Sequence, residues 1–158
     1  MKLLSEIFDI VEKQKNDVDR ANLLINEGRG SNVIQWMLRL NYDPNITLLL
    51  PEGTPPYRAN DKPMGYEETS IQKEMKRFYI WLDRKQNLTR HKREDLFIKM
   101  LEALHASEAT LLCHLKDGKL TDKYPSITED LVRKTFPNLL PAKQEEVKKK
   151  RGRPKKES

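Results

Sequence analysis

Five prolines between Tyr42 and Gly65, at positions 44, 51, 55, 56 and 63, break the chain into stretches that no single long helix can join. Each lacks a backbone N–H and fixes its own φ, which forbids a continuous helix and disfavours a central strand. The same stretch is too apolar for a solvated linker, since Ile46, Leu48, Leu49 and Leu50 crowd into five positions. An irregular, extended segment over 42–65, laid across a helical core, meets both constraints.

On either side the apolar residues recur at helical spacing. Leu3, Leu4, Ile7, Phe8, Ile10 and Val11 make one stripe; Val18, Ala21, Leu24 and Ile25 make a second that Gly28 and Gly30 terminate. Ser31 or Asn32 caps a third, built on Val33, Ile34, Met37 and Leu38. Beyond the prolines, the pattern predicts a helix over 67–85 with Ile71, Met75, Phe78, Tyr79 and Leu82 on one face, and another over about 91–104. Ser107 is the expected cap of a shorter helix that carries Leu111, Leu112 and Leu115 and stops at Gly118. Thr128 opens a last one, with Glu129 and Asp130 in its first turn. Helices this short are marginal alone and need one another to bury their stripes. Trp36 and Trp81 fall on or beside those stripes and are expected as core or rim packing. The expected fold is therefore mostly α: a compact bundle of six to seven short helices, one long Pro-rich irregular segment, and a disordered basic C-terminal tail. A length of 158 residues suits one helical domain over 1–141 and a tail over 142–158.

Charge draws the same boundary. Residues 142–158 hold eight Lys/Arg against three Glu, whereas 1–141 hold 22 basic and 21 acidic residues. A segregated basic arm selects a polyanionic partner. The single cysteine, Cys113, forms no intrachain disulfide and fits a reducing compartment. No export signal is expected, since Glu6 and Asp9 interrupt the apolar residues of the first ten, and no apolar run reaches the roughly 20 residues that span a bilayer.

Within the tail, Lys148, Lys149, Lys150, Arg151, Gly152, Arg153, Pro154, Lys155 and Lys156 resemble an AT-hook. The minor groove over A·T pairs is narrow and strongly negative, so it admits thin cationic chain. Gly152 removes the side chain where the peptide meets the groove floor, leaving Arg151 and Arg153 to run along it in opposite directions. Pro154 biases Arg153 toward extended geometry, and the lysines meet phosphates. The implied partner is double-stranded, A·T-rich DNA, held weakly and in a salt-sensitive way. A single degenerate contact does not find one site in a genome, so occupancy needs help from the body, through oligomerisation or a protein partner. The bland alternative is a solvated basic extension, but a plain lysine run would lack the Arg-Gly-Arg-Pro core.

Enzyme signals are poor. His91, His105 and His114 do not share a metal-ligand spacing, and Glu102 with His105 supplies only half of a carboxylate-bridged two-metal pattern. Nothing gathers Asp61, Glu67 and Glu68 around a cleft, and Gly28-Arg29-Gly30 is a helix terminator rather than a phosphate loop. No catalytic residue, metal or cofactor is expected. The stretch Pro51–Pro63 is read first as a structural wrap; a docking role would use Tyr57 and Arg58 as anchors.

The phrases 43–57 (DPNITLLLPEGTPPY), 96–105 (LFIKMLEALH), 116–120 (KDGKL) and 136–141 (FPNLLP) resemble an uncharacterised group of small proteins from T4-like tailed phages, especially those of marine bacteria. The resemblance covers roughly 32–141 and implies a context, a phage product made in an infected bacterium, rather than an activity. Together these observations lead us to expect a non-enzymatic DNA-binding or adaptor protein of the host bacterial cytoplasm, without membrane association. Its tail would bind DNA, and its body an unidentified protein in transcription, replication or nucleoid organisation. The alternative is a virion or packaging component whose tail contacts the packaged genome.

Overall fold

One helix that is apolar on nearly every side organises the structure. The computed structural model describes residues 2–82 and 87–142, and its helices in chain order are α1 (Leu4–Glu12), α2 (Asp17–Glu27), α3 (Val33–Tyr42), α4 (Ile71–Glu74), a 3₁₀ turn (Met75–Arg77), α5 (Tyr79–Leu82), α6 (Arg90–Ala103), α7 (Ala106–Lys116), α8 (Leu120–Lys123) and α9 (Glu129–Thr135). Among the described residues there is no strand; Thr69 and Leu104 form an isolated parallel bridge. Helix α7 buries Glu108, Ala109, Leu111, Leu112, Cys113 and Leu115, and it packs against α1, α3, α6 and α8. A helix with no wet stripe belongs at the centre. Around it, α1 lies on α2, and α2 on α9.

The ends of α7 explain its place. Gly118 takes φ +71, its N–H donates to the Leu115 carbonyl, and the Lys119 N–H reaches back to His114, which together make a Schellman stop. A Cβ at Gly118 would be strained at that φ and tight against the Asn41 carbonyl. At the other end the expected cap, Ser107, lies two residues too far in. His105 is the cap, its Nδ1 accepting the Ser107 N–H at 3.1 Å, because Leu104 and His105 remain extended and α7 starts at Ala106.

Glu108, the third residue of α7, is fully buried. Its Oε2 accepts the Leu4 N–H at 2.9 Å and its Oε1 the Ile71 N–H at 3.0 Å, so one carboxylate satisfies the first residues of α1 and α4 while it occupies the first turn of its own helix. Beside it, the hydroxyls of Ser5 and Ser107 share a hydrogen bond at 2.8 Å.

The region expected as one helix over 67–85 begins only at Ile71, where Ser70 caps it, and is broken into α4, the 3₁₀ turn and α5. The residues before Ile71 are extended because Thr69 N–H donates to the Ala103 carbonyl, a contact that a helix starting at Glu67 would forfeit. Residues 83–86 lie outside the described ones. The tighter 3₁₀ turn lets Phe78 and Trp81 both face inward, and Trp36, Phe78, Trp81 and Phe97 form an edge-to-face ladder with centroids 5.4–5.7 Å apart. Trp81 is buried and Trp36 half-buried, as core and rim packing require. Helix α8 carried no stripe long enough to predict it.

Glu108→Gln replaces one acceptor with an NH₂ that faces a backbone N–H, and is expected to cost about 1–3 kcal/mol in urea denaturation. Burial pushes the Glu108 carboxyl above its usual value, against the pull of the Ile71 and Leu4 N–H bonds. A raised folded pKa means that the native state holds this proton more tightly. Its contribution is therefore full below the unfolded value and lost as pH rises through the folded one. The stability gap between the wild type and Glu108→Gln should narrow over that rise; a gap that widens with pH would contradict it.

Candidate functional site

The Pro-rich segment, irregular from Asp43 to Ser70, is stitched down along its length by its own backbone. Leu49 N–H donates to the Trp81 carbonyl at 2.7 Å, and Leu48 is buried. The turn at 51–53 wraps the end of α7: Lys116 Nζ donates to the Pro51 carbonyl at 2.9 Å, the Gly53 carbonyl at 3.1 Å and Asp117 Oδ1 at 2.6 Å, while Asp117 Oδ2 accepts the Gly53 N–H at 3.1 Å. The Lys116 side chain is only 3% exposed. All three ammonium protons are spent on partners within the chain, so this lysine is a fastener rather than a free nucleophile. Cys113 is buried beside it, and burial raises its thiol pKa, which keeps it protonated and unreactive. A shallow cleft of about 70 Å³ lies over the turn, lined by Leu50, Thr54, Glu94, Phe97 and Lys116.

Of the two anchors proposed on this segment, Tyr57 packs against the core and burial raises its hydroxyl pKa, while Arg58 is exposed and its N–H donates to Glu102 at 2.9 Å. They sit side by side in sequence but face different surroundings. The segment's most exposed apolar groups lie elsewhere, at Met64 (45%) and Tyr66 (74%), on a turn closed by Tyr66 N–H to the Pro63 carbonyl. The turn is braced below by Asn60 and Lys62 on Glu68, each at 2.8 Å. Gly65 permits the turn at φ +98. The alternation of Met, Gly and Tyr after a proline was the available signal for this tip, and sequence reasoning passed over it.

The histidines and carboxylates considered as ligands have structural partners or lie apart. His105 caps α7, His114 Nδ1 bonds the Thr110 carbonyl at 2.9 Å, and His91 is exposed on α6. Glu102 holds the Arg58 backbone, Glu67 accepts the Gly65 N–H at 2.9 Å, and Glu68 takes Asn60 and Lys62. Among the described residues, no three His, Cys, Asp or Glu side chains come together in a geometry that holds a metal ion. A cleft of about 150 Å³ lies beside Glu108, lined also by Lys2, Leu3, Glu67, Ser70 and Lys73. Both Glu108 oxygens are already committed to helix ends.

The hook residues Lys148–Lys156 lie outside the described residues. Their root is described: Arg133 of α9 donates through NH1 to the Pro141 carbonyl at 2.8 Å and through Nε to Glu129 at 2.8 Å, fixing where the chain leaves the helices. No helix among the described residues is long and apolar enough to cross a membrane.

Lys116→Met keeps the stem but strands Asp117 and two carbonyls, and is expected to lower stability by about 3 kcal/mol. It should also raise amide exchange over 49–58 ahead of α1 and α2; uniform exchange across the chain would show that the turn is not independently fastened.

Searches of curated proteins and of solved structures found no match. Residues 7–122, from α1 through α8, match a family of unknown function, DUF6433, and the chain belongs to that family.

Proposed function

We propose that this is a non-enzymatic DNA-associated protein made during phage infection, in which Lys148–Lys156 hold A·T-rich duplex by its minor groove and the helical body engages a protein partner. The observation that carries this reading is the Arg151-Gly152-Arg153-Pro154 core with lysines on both sides. Two guanidinium groups diverging from a residue without a side chain match a narrow negative groove, and Lys149, Lys150, Lys155 and Lys156 add phosphate contacts.

Two features of the body support an adaptor rather than a catalyst. Its buried polar groups, Glu108, Lys116 and Asp117, are used up on helix ends and on the turn at 51–53. Its braced turn displays Met64 and Tyr66 to solvent, and residue types of this kind anchor protein interfaces. A single hook binds weakly, so a second foothold on a DNA-bound machine would raise its local concentration without new base contacts.

Titration of the full chain with an A·T-rich duplex is expected to shift the amide resonances of 148–156. Gly152→Leu should then reduce affinity for A·T-rich DNA more than for G·C-rich DNA, since only the former requires depth in the groove. Equal loss on the two duplexes, or tail amides that do not move, would overturn groove insertion. Tyr66→Ser at the braced turn should leave DNA affinity unchanged while it abolishes capture of a protein that survives nuclease treatment of infected-cell extract.

A further inference from the structure

The near-balanced charge of the body hides a sharp division. Residues 71–93 hold eight Lys/Arg and two Asp/Glu, whereas the remainder of 1–141 holds 14 Lys/Arg and 19 Asp/Glu. Six of those eight cations are among the described residues, on α4, the 3₁₀ turn and the first turn of α6. Folding strings these elements along α6: the Thr69 N–H donates to the Ala103 carbonyl, which sets the start of α4 at the C-terminal end of α6, and the Trp81 indole donates to the Arg93 carbonyl at 2.9 Å, tying the end of α5 to its start. Ile71, Phe78 and Trp81 face the core, which leaves Lys73, Lys76 and Arg77 exposed along with Tyr79, at 53%. Across the Trp81 tie, Arg90 is 77% exposed and Lys92 is exposed.

The pairing within this surface is thin. Arg77 pairs with Glu74 and Arg90 with Glu94, both at 2.8 Å on the surface, where such pairs are worth about 0–1 kcal/mol and yield to a better anion. Lys73, Lys76 and Lys92 make no ion pair among the described residues. Arg93 is committed, with NH1 donating to the Leu88 carbonyl.

Folding does not ask for this arrangement. Helices α1, α2, α7 and α9 place acids in their first turns, as the helix dipole favours, whereas α6 opens Arg-His-Lys-Arg with no acid there. Cations at that end cost roughly 0.3–1 kcal/mol apiece. Solubility does not ask for it either, because a soluble surface intersperses its signs. A cluster that opposes local stability and stands segregated on an otherwise acidic body is explained by a polyanion.

We propose that Lys73, Lys76, Arg77, Tyr79, Arg90 and Lys92 form a second contact for duplex DNA, one that grips the phosphate backbone without reading sequence. Lysine and arginine neutralise phosphates, and a tyrosine hydroxyl donates to phosphate oxygen. The inference extends the groove-binding reading of the tail by supplying the help that a lone hook needs. Reach permits both on one duplex: the nine residues 142–150 extend up to about 30 Å, and a domain of this length has a radius of gyration of about 14 Å. Two tethered weak contacts then act as one stronger one.

The test uses the full chain in three forms: wild type, K73Q/K76Q/K92Q, and R151A/R153A. Each is titrated by fluorescence anisotropy against A·T-rich and G·C-rich duplexes across a salt series, with helix content checked by circular dichroism. The three lysines are exposed, and glutamine adds no repulsion of its own. Removing three phosphate contacts should flatten the log–log salt slope by about 2–3 on both duplexes, and leave the A·T preference intact. The R151A/R153A form should lose that preference yet keep salt-dependent binding to both duplexes through the body. Wild-type affinity and slope in K73Q/K76Q/K92Q would overturn the body contact, whatever the tail does. An unchanged A·T preference in R151A/R153A would overturn the hook instead, and the slope of the lysine variant would still decide the body contact.

Discussion

The fold depends on one buried carboxylate. Three helices begin around Glu108, and two of them present a first-turn N–H to its two oxygens. Helix N-termini carry unsatisfied donors, so three of them converging in an apolar interior need a buried acceptor. Placing that acceptor on the central helix solves the problem from inside the chain. The same residue couples α1 at the start of the chain to α4 beyond the prolines.

The prolines acquire their meaning from the opposite end of α7. A segment with so few backbone donors cannot enter a sheet, and it needs side chains to hold it. Lys116 and Asp117 supply them, meeting two carbonyls and one N–H of the turn at 51–53. Helix α7 thus fastens the rest of the structure at both termini, with an acid at the start and an acid–base pair at the end. An isolated buried charge would be costly, and each of these is matched by several partners.

Much of this was legible in the residues. The stripes on Leu4–Val11 and Val33–Leu38, the terminating Gly118, the capping Thr128 and the wrapping role of the prolines all follow from periodicity and local stereochemistry. What escaped was non-local. A continuous helix over 67–85 fits the apolar spacing, and only the Thr69–Ala103 hydrogen bond and the packing of Phe78 with Trp81 explain why it is shortened and tightened. Glu108 looks like any first-turn acid in sequence; its partners lie 104 and 37 residues away. The cationic run at 73–93 was visible all along, but a sum over the whole body averaged it against acids elsewhere. The tail stretch that resembles an AT-hook lies outside the described residues.

The Arg133–Pro141 bond bears on how the molecule would behave under load. Tension applied to the arm would not begin by peeling Pro141 from a loose end. It would pull on a guanidinium braced by Glu129, and through α9 on the α2 surface beneath it. The chain beyond Pro141 is therefore mounted on the helical framework like a mooring line on a cleat, and a pull on it would be felt first at α9 and α2 rather than at the fasteners of α7.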